Sequence, residues 1–111
     1  ELAYQDADDV DGSFDRLAAL LMSSPGVVPA LATHDDERIE PVIAAGLERT
    51  EPWEFQMLYG VRRDRQLGLV EAGHAMRIYV PYGEAWYPYL TRRLAERPAN
   101  LTFFARALVG R

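Results

Sequence analysis

A chain of 111 residues has the length of a single domain. Its 49% apolar content is ordinary for a globular protein, and its net charge of −5 argues against nonspecific nucleic-acid binding, which needs a basic face. The lack of cysteine excludes disulfides and thiolate metal sites, and no apolar run has the length of a membrane span.

Residues 1–12 are acidic, with Asp6, Asp8, Asp9 and Asp11 close together. They read as a solvated connector or helix start, because the Gly and late Glu of a calcium loop are missing. From about 10 to 23, Phe14, Leu17, Leu20 and Leu21 recur at helical spacing, and Ser23-Ser24-Pro25-Gly26 stops that helix. Val27 to Ala32 is a short apolar run that reads as a buried strand, weakened by Pro29, which lacks a ladder donor. Thr33-His34-Asp35 follows at its C-terminal end.

Asp35 or Asp36 can cap the next helix, whose apolar face is Ile39, Val42, Ile43 and Leu47. Pro41 inside that pattern predicts either a delayed start or a kinked first turn. Trp53 to Gly60 is rich in aromatics and reads as the second strand. Asp64 then begins a helix carrying Leu67 and Val70, and Gly73 stands where a C′ glycine would close it. Met76 to Val80 is the third strand. A helix from Tyr87 to Glu96 follows, with Tyr87, Leu90 and Leu94 as an apolar stripe and Pro98 beyond its end. A last short helix, Asn100 to about Val109, would turn Leu101, Phe104 and Leu108 inward.

Alternation of helix and strand implies parallel strands with right-handed crossovers. Three strands fit either a small open sheet or the last part of a barrel. Polar residues sit at or near the C-terminal ends of all three: Thr33 and His34, Gln56, and Tyr79. Tyr89, Arg92, Arg93 and Glu96 share a face of the Tyr87–Glu96 helix. Two adjacent guanidiniums beside tyrosines suit a carboxylate ligand, because the planar fork matches a carboxylate in a two-point grip. A solvated arginine pair on a surface helix would look the same in sequence.

The run Arg77-Ile78-Tyr79-Val80-Pro81-Tyr82-Gly83, continued by Tyr89-Leu90-Thr91-Arg92-Arg93-Leu94-Ala95-Glu96-Arg97-Pro98-Ala99-Asn100, resembles the substrate-binding segment of the proline dehydrogenase family. Those enzymes occur alone or as one domain of the proline utilisation A proteins. Ala32-Thr33-His34-Asp35 resembles the family's Ala-Thr-His-Asn/Asp motif. Glu54-Phe55-Gln56-Met57-Leu58-Tyr59-Gly60 is similar to its flavin- and substrate-contacting strand.

The resemblance implies an α/β fold comprising the C-terminal three β/α units of a distorted (β/α)8 TIM-type barrel. Leu2-Ala3-Tyr4-Gln5 resembles the segment after the family's flavin-binding Lys-Gly-Ala strand. Residues 1–111 would then form the C-terminal portion of one barrel domain, with the upstream strands supplied from the same or a separate chain. The resemblance further implies FAD as cofactor, contacted by Thr33, His34 and Gln56. It implies L-proline as substrate, its carboxylate paired with Arg92 and Arg93 and its ring enclosed by Leu58, Tyr79 and Tyr89. Glu96 matches the family's acidic residue after the arginine pair. Electrons would pass to a quinone, in a cytoplasmic protein for which peripheral contact with the inner face of the membrane stays open. No catalytic nucleophile is needed, and none is found. The alternative is a non-catalytic C-terminal fragment or assembly module without FAD.

Overall fold

A computed structural model describes residues 3–96 together with Thr102, Ala105 and Val109. Its elements run α1 (Ala7–Ser23), β1 (Ala30–Ala32), α2 (Asp36–Gly46), β2 (Glu54–Leu58), α3 (Arg63–Glu71), β3 (Met76–Tyr79) and α4 (Trp86–Glu96). The strands form a small parallel sheet of order β1-β2-β3, as consecutive strands joined by helices require. The chain divides into two units, Glu1–Phe55 and Gln56–Arg111, the boundary falling inside β2.

In the first unit, the Asp6 side chain accepts from the Asp8 amide and caps α1, with Asp8 and Asp9 in the first turn. Acidic residues suit a helix start, because they meet the positive end of the helix dipole. The buried residues of α1 are Ala18 and Met22. Leu17, Leu20 and Leu21, which recur at helical spacing, are exposed, the first two by 57% and 61%. Apolar residues are spread around much of this helix, so spacing alone does not fix which of them is buried.

Pro29 stays outside the ladder, and β1 begins only at Ala30. The Pro29 carbonyl still accepts from the Glu54 amide at 2.9 Å, since proline lacks a donor but not an acceptor. Helix α2 buries Ile39 and Val42, whereas Leu47, at its C-cap, is exposed. Pro41 lies inside the helix without delaying its start, which is set by the Asp35 cap. At the far end of α2, Gly46 faces the Trp53 indole, and a Cβ there would collide with the ring. Trp53 meets the fully buried Phe55 edge-on, ring centroids 5.1 Å apart.

Two arginines tie this unit together. Arg38 pairs with Asp11 and Asp15 of α1, both at 2.9 Å. Arg49, its side chain only 5% exposed, donates to the carbonyls of Met22, Ser24 and Val27 at 2.8, 2.9 and 2.6 Å. These close the C-terminal end of α1, where helix carbonyls lack internal partners. Glu51 lies 3.5 Å from Arg49 and accepts from the Gly26 amide at 2.8 Å. The Ser24–Gly26 turn is thereby held by side chains distant in sequence.

In the second unit, β2 contributes buried Met57, and α3 contributes buried Leu69. Val61, in the turn between them, is buried as well. Leu67 and Val70 of α3 are exposed, and the face turned inward carries Gln66 and Leu69 instead. Gly73 has φ of 93°, and its amide bonds to Val70 while the His74 amide bonds to Leu69. This paired closure ends α3 at the expected glycine. Helix α4 keeps Leu90 half-buried, whereas Tyr87 is exposed. Thr102, Ala105 and Val109 are helical; Leu101, Phe104 and Leu108, expected inward, lie outside the described residues.

Candidate functional site

The sequence-predicted residues fall at strand ends and on α4, except Gln56, which lies in the middle of β2 and not at its C-terminal end. In the first unit, Thr33 and His34 are half-buried in the loop after β1. The Thr33 hydroxyl oxygen accepts from the Asp35 amide at 3.1 Å, which leaves its own hydrogen available to donate. The Asp35 carboxylate accepts from the Glu37 amide at 3.0 Å and lies 3.8 Å from the Arg38 guanidinium. Asp35 is therefore the cap of α2, and it holds the Thr33-His34 loop against that helix. Asparagine caps a helix about as well as aspartate, so either residue can do this work.

In the second unit, β2 alternates burial. Met57 is buried, whereas Gln56 and Leu58 are half-buried on the opposite face. Gln56 lies in mid-strand and Leu58 closes the strand. Tyr79 is the last residue of β3 and is exposed. The Tyr59 amide donates to the Tyr79 carbonyl at 2.9 Å, so the ends of β2 and β3 are joined directly.

Beyond β3, Gly83 has φ of 108°, a left-handed conformation that turns the chain into α4. Helix α4 returns Tyr89 to Tyr79, with ring centroids 5.7 Å apart and planes at 51°. One helical turn on, the Arg93 guanidinium carbon sits 5.4 Å from the centre of the Tyr89 ring. That separation permits a cation–π contact, worth about 0.5–1 kcal/mol at an exposed site. Arg92 and Arg93 are both exposed on this helix. Glu96 is its last residue.

The structure thus brings Tyr79, Tyr89 and Arg93 together and links the backbones of Tyr59 and Tyr79. The arrangement offers the Arg93 guanidinium beside a pair of phenol rings, with Arg92 adjacent on the same helix. It can receive a small molecule that is anionic at one end and apolar at the other. Sequence reading missed Gln66, the buried polar residue of α3 whose side chain bonds to the Leu58 carbonyl. The available signal was its position three residues before Leu69, on one helical face.

Comparison with known proteins decides the family. The proline dehydrogenase family model matches residues 2–106. The chain belongs to the proline dehydrogenase family. It is similar to proline dehydrogenase 2 of Bacillus subtilis, with 42% identity over 106 residues, covering 93% of this chain and 35% of that protein. Proline dehydrogenase 1 of the same species is 41% identical over 111 residues, covering 97% of this chain and 36% of the relative. The Deinococcus radiodurans proline dehydrogenase is 40% identical over 112 residues, with the same two coverages. The chain therefore spans about a third of the length of the curated relatives it matches. Among the described residues, no helix is long and apolar enough to cross a membrane.

Proposed function

We propose that the protein containing this chain oxidises L-proline to 1-pyrroline-5-carboxylate with FAD as cofactor and passes the electrons to a quinone. The observation that carries this reading is the Tyr79–Tyr89–Arg93 cluster at the end of β3. It provides a cationic grip for a carboxylate next to aromatic walls that suit a small saturated ring.

Arg92 and Arg93 would hold the proline carboxylate in charge-assisted hydrogen bonds. Leu58, Tyr79 and Tyr89 would enclose the ring, and Glu96 would stand one turn after Arg92 on the same helix. Fixing the ring in one orientation is a proximity effect, and the protein's part in such a reaction is largely alignment. The ring carbon next to nitrogen gives up a hydride and the nitrogen a proton, which leaves a carbon–nitrogen double bond.

Thr33, His34 and Gln56 would hold FAD. Their donor set fits: a hydroxyl whose hydrogen is free of the Asp35 contact, an imidazole, and a primary amide on the less buried face of β2. When bound, FAD supplies the hydride acceptor. In this reading the three β/α units form the C-terminal part of a distorted (β/α)8 barrel whose upstream strands complete the site. The exposed apolar stripe of α1 supports that reading, because leucines at 57% and 61% exposure suit a surface that other elements cover.

The test uses the full-length protein. It should be yellow, and anaerobic L-proline should bleach it. Arg92→Ala or Arg93→Ala should raise the KM for proline by at least about tenfold, since each charge-assisted bond contributes roughly 1.5–3 kcal/mol. A colourless protein indifferent to proline would refute the proposal.

A further inference from the structure

We propose that Gln66 is a positioning residue for the substrate pocket: its buried side-chain amide orients the peptide unit between Leu58 and Tyr59, and so sets Leu58 relative to Tyr79. The inference rests on the reading of Leu58 and Tyr79 as substrate residues given above.

Gln66 lies on α3 and is only 7% exposed. A buried primary amide is costly unless bonded. Its Nε2 donates to the Leu58 carbonyl at 2.9 Å, and the Val61 amide donates to the same oxygen at 3.3 Å. The other end of that peptide unit is held too, because the Tyr59 N–H donates to the Tyr79 carbonyl at 2.9 Å. A peptide unit is planar, so holding its C=O and its N–H fixes the whole plane. The backbone torsion at Leu58 follows, and with it the direction of the Leu58 side chain.

The location explains why a side chain is used. Leu58 is the last residue of β2, and beyond it the chain turns through Gly60 at φ of 79° and Arg62 at φ of 54°. Helix α3 starts at that turn without a side-chain cap. Gln66 supplies the direct tie from the helix back to the strand end. Any hydrogen-bonding side chain could pay the cost of its own burial elsewhere; this one does so at the carbonyl of a pocket residue.

The test is made in the full-length protein and reads substrate preference. Gln66→Met keeps length and approximate volume but removes the donor. The measured quantity is the ratio of kcat/KM for L-proline to that for its six-membered-ring homologue, pipecolic acid. A wall free to shift should discriminate ring size less well, so the ratio should fall about three- to tenfold, mainly through KM for proline. Gln66→His retains an N–H donor and should recover most of the ratio. A Gln66→Met protein with lowered thermal stability but an unchanged ratio overturns the proposal, because a purely structural glutamine would behave that way.

Leu58→Ala, measured in parallel, separates the two levels. If it lowers the ratio while Gln66→Met does not, Leu58 is a wall and Gln66 does not position it. If Leu58→Ala leaves the ratio unchanged in an active enzyme, the substrate role of Leu58 fails, and the inference falls with it. Should Gln66→Met not fold, Gln66→Asn draws the amide back by one methylene and is judged by the same ratio.

Discussion

Two pairs of arginines, one pair in each unit, stand in contrasting settings. In Glu1–Phe55, Arg38 and Arg49 are withdrawn from solvent, and their guanidiniums are occupied by protein acceptors. In Gln56–Arg111, Arg92 and Arg93 stand exposed on α4, with Arg93 near the Tyr89 ring. The same side chain serves as an internal brace in one place and as a candidate ligand grip in the other. The difference lies in what surrounds it. Arg49 meets backbone carbonyls at the end of α1, which need donors whatever the protein does. Arg93 lies on an exposed stretch of α4 beside a tyrosine ring, where its flat guanidinium borders solvent.

The comparison breaks most visibly at Arg49. Arg49→Met should cost about 3 kcal/mol of stability, because several carbonyls lose a charged donor in a site with little access to water. Thermal or denaturant unfolding of the full-length protein would show it, and the KM for proline should stay within about twofold of wild type, a small fraction of a tenfold effect. A large rise in KM with unchanged stability would place Arg49 in the other class. At the small end, Asp35→Asn should change stability by less than about 0.5 kcal/mol. The cap survives, and only a 3.8 Å ion pair with Arg38 is weakened. Asp35→Ala removes the cap itself and should cost about 1 kcal/mol in the same unfolding experiment. Equal losses for the two variants would mean that the charge, not the cap, is what matters.

Much of the element order was legible because it depends on local signals. Gly73 marks the end of α3 by its need for a left-handed backbone, and Asp35 marks the start of α2 by its side-chain oxygen. The burial of faces was less legible. Leu17, Leu20 and Leu21 recur at helical spacing, yet the buried residues of α1 are Ala18 and Met22. Periodicity states that a helix has an apolar side, but where apolar residues run around the helix it does not state which side meets a neighbour. Leu67 and Val70 are exposed in the same way, and Gln66 was overlooked because a glutamine at a helical position normally faces water. Arg38 and Arg49 were invisible as braces, since their partners in α1 lie more than twenty residues away in sequence. The Tyr89 and Arg93 grouping was legible, because four-residue spacing on a helix is local.

The carboxylate grip can be tested by removing the charge from either side. Full-length wild type and Arg93→Ala are compared with L-proline and with its uncharged amide, L-prolinamide, and kcat/KM is measured for all four combinations. The account predicts that wild type prefers proline by at least about tenfold and that Arg93→Ala loses most of this preference, because the two changes remove the same interaction. An Arg93→Ala enzyme that prefers proline over prolinamide as strongly as wild type does would contradict it.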